Sequence, residues 1–376
     1  MEIEKNSKSR NYGIDLLRIV SMLSIVMLHI LGHGGVLGAA VGQHLVAGLI
    51  LKILAFPAVC CFMLISGFVG YRQESYYPKM KNIISLFLTV LFYSIVLTVG
   101  VKICAPDSVG ILELLMSFFP VLTRRYWFFT SYFVVFIFSP ALNCAVHKLS
   151  AKMLTVSFLS IVLIGTLDQG TQMFNLSSGY SFVWLSFLYL IGASSRKYDL
   201  LKKIPLWFCF FSIIASFLIT FLVKMMFSSL SIEFSGITVD VGNLFIAYCS
   251  PTILVMALGW LCLFERMHLP KAVTKAVMFC SASAFSVYLI HDNETIRRVL
   301  MNKRFVFLLE TNTALTLAGV ICCGLAIFFC CILIDKIRLL LFRYGKVDLL
   351  AEKLESIIAT AFDRMFKSIR RLLRHE

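Results

Sequence analysis

Charge is scarce in this chain. Only 15% of its 376 residues are Asp, Glu, Lys or Arg, and 20 acids face 35 bases. With 59% hydrophobic residues and a mean hydropathy of +0.88, that scarcity excludes an ordinary soluble domain. Strict apolar–polar alternation is missing as well, which argues against a β-barrel. The apolar runs are continuous instead, and several exceed the roughly 18 residues that mark a transmembrane helix. There is no internal repeat and no low-complexity segment. The first apolar run has no small-residue cleavage site and is long enough to span, so a cleavable signal peptide is not expected. Cysteine is plentiful, at 12 residues, but zinc-ligand spacing is absent. Cys60, Cys61, Cys322, Cys323, Cys330 and Cys331 lie inside apolar runs and read as packing or lipid-facing residues. No metal site is expected.

What remains is an all-α, polytopic membrane helix bundle. The runs predict about ten transmembrane helices, near 12–33, 46–71, 82–101, 126–143, 152–167, 181–195, 204–226, 241–264, 277–291 and 312–334. They divide the chain into a cytoplasmic segment at 1–11, a ten-span membrane domain at 12–335 and a tail at 336–376. The net charge of +15 would point to nucleic acid in a soluble protein. Here the bases lie mostly in short loops and the tail, so topology and anionic lipid explain them and no nucleic acid is expected. With the N-terminus inside, the inner side receives Lys5, Lys8, Arg10, Arg72, Lys79, Lys81, Lys148, Lys152, Arg196, Lys197, Lys202, Lys203, Arg266, Lys271, Lys275 and the basic tail. That asymmetry predicts both termini in the cytoplasm, which requires an even number of spans. Outer loops near 168–180 and 227–240 are long enough to bind something. Residues 110–122 are too short to cross and are expected at the outer interface. The tail at 347–375 spaces its apolar residues at three and four and ends in Lys367, Arg370, Arg371 and Arg374, which predicts an amphipathic helix on the inner leaflet.

Three stretches carry chemistry. The first, residues 10–35, is a span containing Asp15, Arg18, His29 and His33, and ionisable groups within a span are functional-site candidates. Arg18 and His29 are eleven residues apart, close to three whole turns, so they share a face about 16 Å apart along the axis. That separation suits one groove with a charged end and a nucleophile or base deeper in. Singly, Arg18 also reads as a snorkelling residue and His29 as a hydrogen-bonded core histidine. Asp15 is about 21 Å from His29 along the helix, too far to orient its imidazole, and reads as capping or charge balance. The second stretch, 126–143, follows Arg124 and Arg125 and opens with Tyr126 and Trp127, which serve equally as an aromatic belt or a sugar platform. The third, 281–293, has small residues for close packing and ends in His291, Asp292 and Asn293. Ser66 and Gly67, in the second span, also point to close packing.

The order of these motifs resembles the family-3 membrane acyltransferases, which include surface-glycan O-acetyltransferases. The resemblance rests on Ile14, Asp15, Leu17, Arg18 and His29 (a basic residue, ten residues, a histidine), then Ser66–Gly67, Tyr126–Phe128 with the SPALN that follows, and Tyr288–His291, over roughly 10–335. It implies an O-acyltransferase of a bacterial plasma membrane, with acetyl-CoA as co-substrate and no bound cofactor, acting on a surface glycan or lipid-linked sugar. His29 and Arg18 are then the catalytic pair. Arg72, Lys79 and Lys81 join Arg18 in holding the donor. Arg124, Arg125, Tyr126, Trp127, His291 and Asn293 form the acceptor side. Where many polysaccharide-modifying members have an arginine-rich pattern after the second span, this chain has YRQESYYPKMK. His29 then acts as general base or as an acetyl carrier; the residues leave both open. The alternatives are a glycan or lipid exporter, which ought to show internal symmetry and paired broken helices, an acyltransferase of another family with His291 as its late histidine, and a non-catalytic sensor.

Overall fold

The computed structural model describes residues 10–71, 80–169, 171–234 and 237–372. Its helices are α1 (Tyr12–Leu31), α2 (Val36–Ala39), α3 (Gly42–Ala55), α4 (Ala58–Gly70), α5 (Met80–Cys104), α6 (Ile111–Met116), α7 (Trp127–Lys148), α8 (Ala151–Asp168) and α9 (Phe182–Lys197). They continue as α10 (Leu200–Lys203), α11 (Leu206–Met226), α12 (Pro251–Glu265), α13 (Lys271–Ser281), α14 (Ala284–His291), α15 (Glu294–Ile296), α16 (Thr313–Tyr344) and α17 (Val347–Leu372). One antiparallel hairpin, β1 (Ser231–Phe234) with β2 (Ile237–Asp240), pairs Ser231 with Asp240 between α11 and α12.

Every predicted run contains helix, but the count of spans is lower than ten. Among the described residues, seven helical stretches are long and apolar enough to cross a membrane: Tyr12–Ala39, Gly42–Gly70, Met80–Cys104, Trp127–Lys148, Ala151–Asp168, Leu206–Met226 and Thr313–Tyr344. An eighth follows if α13 and α14, bent by 42°, count as one. The shortfall lies in α9 and α12, of 16 and 15 residues. The run at 241–264 loses its first part because Pro251 opens α12 at its first turn, where a missing N–H is no loss. Residues 244–250 before it are turns. The protein is a multi-pass, all-α membrane protein.

Both short helices are packed inside the bundle. Trp184, Leu185 and Leu188 of α9 are fully buried. The α4–α9 contact is close because glycines face each backbone. A Cβ at Gly67 would stand 2.0 Å from the Tyr189 carbonyl oxygen, and one at Gly192 would stand 2.1 Å from that of Leu64. This is the close packing that Ser66–Gly67 predicts. Tyr189 then donates to Asn143 Oδ1 at 3.0 Å, tying α9 to α7.

Helix α1 runs through the bundle and is capped by Asn11, whose side chain accepts from the Ile14 amide. Near that end, Asp15 pairs with Arg10 and with Arg18 Nη1 at 2.7 Å, and Arg10 reaches Ser281 Oγ at 3.1 Å. Asp15 is therefore a charge-balancing residue, as its distance from His29 requires. The apolar stripe of α17 packs Ala351, Leu354 and Ile358 against Ile83 and Ile84 of α5, so the first half of the tail docks on the bundle.

Candidate active site

At its far end α1 stops at Leu31, and Gly32 bonds back to the Leu28 carbonyl. The turn that follows is pinned by residues before α16: the Lys303 amide donates to the His33 carbonyl at 2.9 Å, and the Phe305 amide to the Gly34 carbonyl at 3.1 Å. A Cβ on Gly34 would lie 2.2 Å from the Ile30 carbonyl oxygen, so the turn is too tight for a side chain there. These constraints fix His29 within the last turn of α1. The bend between α13 and α14 brings His291, the last residue of α14, against it.

The contact is specific. His29 Nδ1 and His291 Nε2 are 2.9 Å apart, and His291 Nδ1 is 2.6 Å from the Val287 carbonyl oxygen. A carbonyl only accepts, so His291 Nδ1 carries the proton it donates to Val287. With His291 neutral, its Nε2 is bare and accepts from His29 Nδ1–H. The proton assignment follows from this network. His29 Nε2 is left as the unprotonated nitrogen. His29 keeps 18% of its side chain exposed, and it lines a cavity of about 570 Å³.

Asp292 continues the network. Its Oδ1 lies 3.6 Å from His29 Nδ1 and 3.2 Å from Arg297 Nη1. Burial raises the Asp292 carboxyl above its ordinary value, opposed by the Arg297 guanidinium. The His33 ring stands 5.1 Å from that of His29. Among the described residues, His29, His33 and Asp292 each offer a ligand atom within 4.8 Å of one another. A divalent cation there would compete with the Arg297 guanidinium for Asp292.

The opposite wall is aromatic. Phe56 stacks on Tyr248 at 4.6 Å, Tyr248 lies parallel to Trp127 at 6.1 Å, and Tyr180 touches both Trp127 and Tyr248 at 4.5 and 4.9 Å. Lys52 lines the same space. Along α1 the cavity reaches down to Met22.

The predicted site residues sort into several places. His29 and Trp127 line the cavity, and His291 sits directly behind His29. Arg18 is not part of this lining; it lies one turn, about 6 Å, beyond Met22, bonded to Asp15. Lys81 pairs with Glu352 of α17 at 2.6 Å, and Arg72 and Lys79 lie outside the described residues. On the predicted acceptor side, Arg124 is exposed with φ 52° and Arg125 is buried against the Glu113 carbonyl and Thr295. Tyr126 donates to the Leu289 carbonyl at 3.0 Å and accepts from Asn293 Nδ2 at 2.8 Å, while Asn293 Oδ1 caps α15. These side chains are engaged in joining α7 to α14, not in lining the cavity.

Sequence reasoning passed over Lys52, Tyr180, Tyr248 and Arg297 as site residues. Tyr180 ends a loop already marked as long enough to bind. Tyr248 falls inside the run expected to span at 241–264, and Arg297 carries no motif that sets it apart from other loop bases. Asp292 stood beside His291 but carried no role.

A family model described as an acyltransferase domain matches residues 11–335. No curated protein and no solved structure matches significantly. The matched region takes in α1 with its Arg18 and His29, the aromatic wall and the α14 histidine, and most of the chain. The protein therefore belongs to the acyltransferase 3 family and is a membrane-embedded transferase.

Proposed function

We propose that the protein is an O-acyltransferase that moves an acetyl group from acetyl-CoA to a hydroxyl of a cell-surface glycan or lipid-linked sugar, with His29 as general base. The observation that carries this reading is the relay from His29 through His291 to the Val287 carbonyl, which leaves His29 Nε2 as the free base of a residue lining the cavity. Nε2 takes the proton of the acceptor hydroxyl as its oxygen attacks the thioester carbonyl. A C–O bond forms, the C–S bond breaks, and the imidazolium returns the proton to the leaving thiolate. Asp292, 3.6 Å from Nδ1, favours that transient positive charge. Arg297, at the cavity wall, offers guanidinium N–H donors to the developing oxyanion. Carbohydrate rings stack on Trp127 and its aromatic neighbours.

In this reading the donor enters from the end where α1 begins, and both termini lie on that cytoplasmic side. Among the described residues Arg18 is engaged through Nη1 alone, and 31% of its side chain is exposed, which leaves donors for a phosphate. Lys81 serves α17 instead, through Glu352. The thioester arm then has about one helical turn to pass between Arg18 and the cavity floor at Met22.

The test is acetyl transfer from radiolabelled acetyl-CoA in membranes holding equal amounts of wild type, Arg18→Ala or His29→Ala. Label entering a glycan fraction with wild type and lost in both variants is the expected result. Full labelling with His29→Ala would overturn the base assignment.

A further inference from the structure

Lys52 lines the cavity with no counter-ion among the described residues. It is half-buried on α3 and lines the same space as His29. Among the described residues its side chain makes no ion pair or hydrogen bond; its ammonium lies 5.9 Å from the centre of the Phe56 ring. The other charged lining groups, Arg297 and Asp292, neutralise each other at 3.2 Å. Lys224, whose charge acts on Lys52, donates to Asn243 Oδ1 at 2.8 Å, and Asn243 in turn binds Asp240. Among the described residues the cavity therefore carries one uncompensated positive charge, beside the aromatic wall and in the same space as the base. A cation kept in a partly desolvated apolar wall is unfavourable when empty and favourable once an anion arrives.

We propose that the acceptor is anionic, a sugar bearing a carboxylate or a phosphate, and that Lys52 neutralises that group while the ring lies on the aromatic wall. The inference rests on the acceptor-cavity reading given above. It makes Lys52 a specificity-determining residue: the charge selects the acceptor, and His29 acts on its hydroxyl. The anion is either a uronic acid within a glycan or the diphosphate of a lipid-linked sugar.

Equilibrium binding to the purified full-length protein separates these cases without requiring turnover. The probes are trigalacturonate, a polyprenyl diphosphate-linked glucose and neutral maltotriose, each measured on wild type, Lys52→Gln and Lys52→Arg. The expected result is that at least one anion binds about tenfold or more tighter than maltotriose to wild type. Lys52→Gln should lose this preference and Lys52→Arg should keep it. Preference for trigalacturonate identifies the carboxylate source, and preference for the diphosphate lipid the phosphate source. Equal binding of all three, no binding of either anion, or a preference that survives Lys52→Gln would overturn the proposal. Failure of acetyl transfer alongside intact Lys52-dependent anion binding would instead count against the enzyme reading.

Discussion

Two of the clusters of buried ionisable groups among the described residues are built differently. On α16, Asp335 is fully buried and takes Arg338 Nε and Nη2 at 2.9 and 2.8 Å, with Tyr93 Oη of α5 donating at 2.8 Å. The carboxylate and guanidinium are paired, neither lines the cavity that holds His29, and α16 continues as one helix to Tyr344 through what would otherwise be a costly charge. The α1–α14 cluster also has a buried carboxylate and an arginine, Asp292 and Arg297. It adds a histidine whose one nitrogen is spoken for and whose other is not, beside an open volume. A closed network holds helices together; one left open by a single nitrogen can do chemistry.

That contrast yields predictions of decreasing size. His29→Ala should lower acetyl transfer by about a thousandfold, within the range of general-base catalysis, with the amount of folded protein unchanged. His291→Phe removes the acceptor that fixes the His29 tautomer; kcat should fall about a hundredfold with little change in the KM for acetyl-CoA, as steady-state kinetics will read. At the closed cluster, Asp335→Ala strands Arg338 and should cost about 3–5 kcal/mol of stability, seen as a lower Tm, with turnover per folded molecule retained. The paired change Asp335→Leu with Arg338→Met should recover most of that loss, whereas no second change should rescue His29→Ala. Trp127→Ala should raise the acceptor KM about tenfold and leave the KM for acetyl-CoA alone.

The sequence made much of this legible, for physical reasons. Uninterrupted apolar runs and a helix-period spacing placed Arg18 and His29 on one face of one span, because that relation is local. Gly67 announced close packing, because only a missing Cβ permits it. The partner of His29 was less visible. His291 lies 262 residues away, and nothing local says that the α13–α14 bend turns it onto His29 Nδ1. The same reason hid the duties of Arg125, Tyr126 and Asn293, whose polar atoms are used across the α7–α14 junction. Tyr248 was lost because hydropathy cannot distinguish an apolar span from an apolar turn lining a cavity. The overcount of spans has that origin too: α9 and α12 are apolar because they are packed among other helices, at lengths of 16 and 15 residues.

The central claim is that His29 holds its proton on Nδ1 and presents Nε2 to the substrate. Nitrogen-15 NMR of histidine-labelled protein, with His29 assigned by substitution, tests it directly. The account predicts a protonated Nδ1 and a bare Nε2 for His29 in wild type, a preference weakened in His291→Phe. A proton on Nε2 in wild type would contradict it, because the nitrogen needed as the base would then already be occupied.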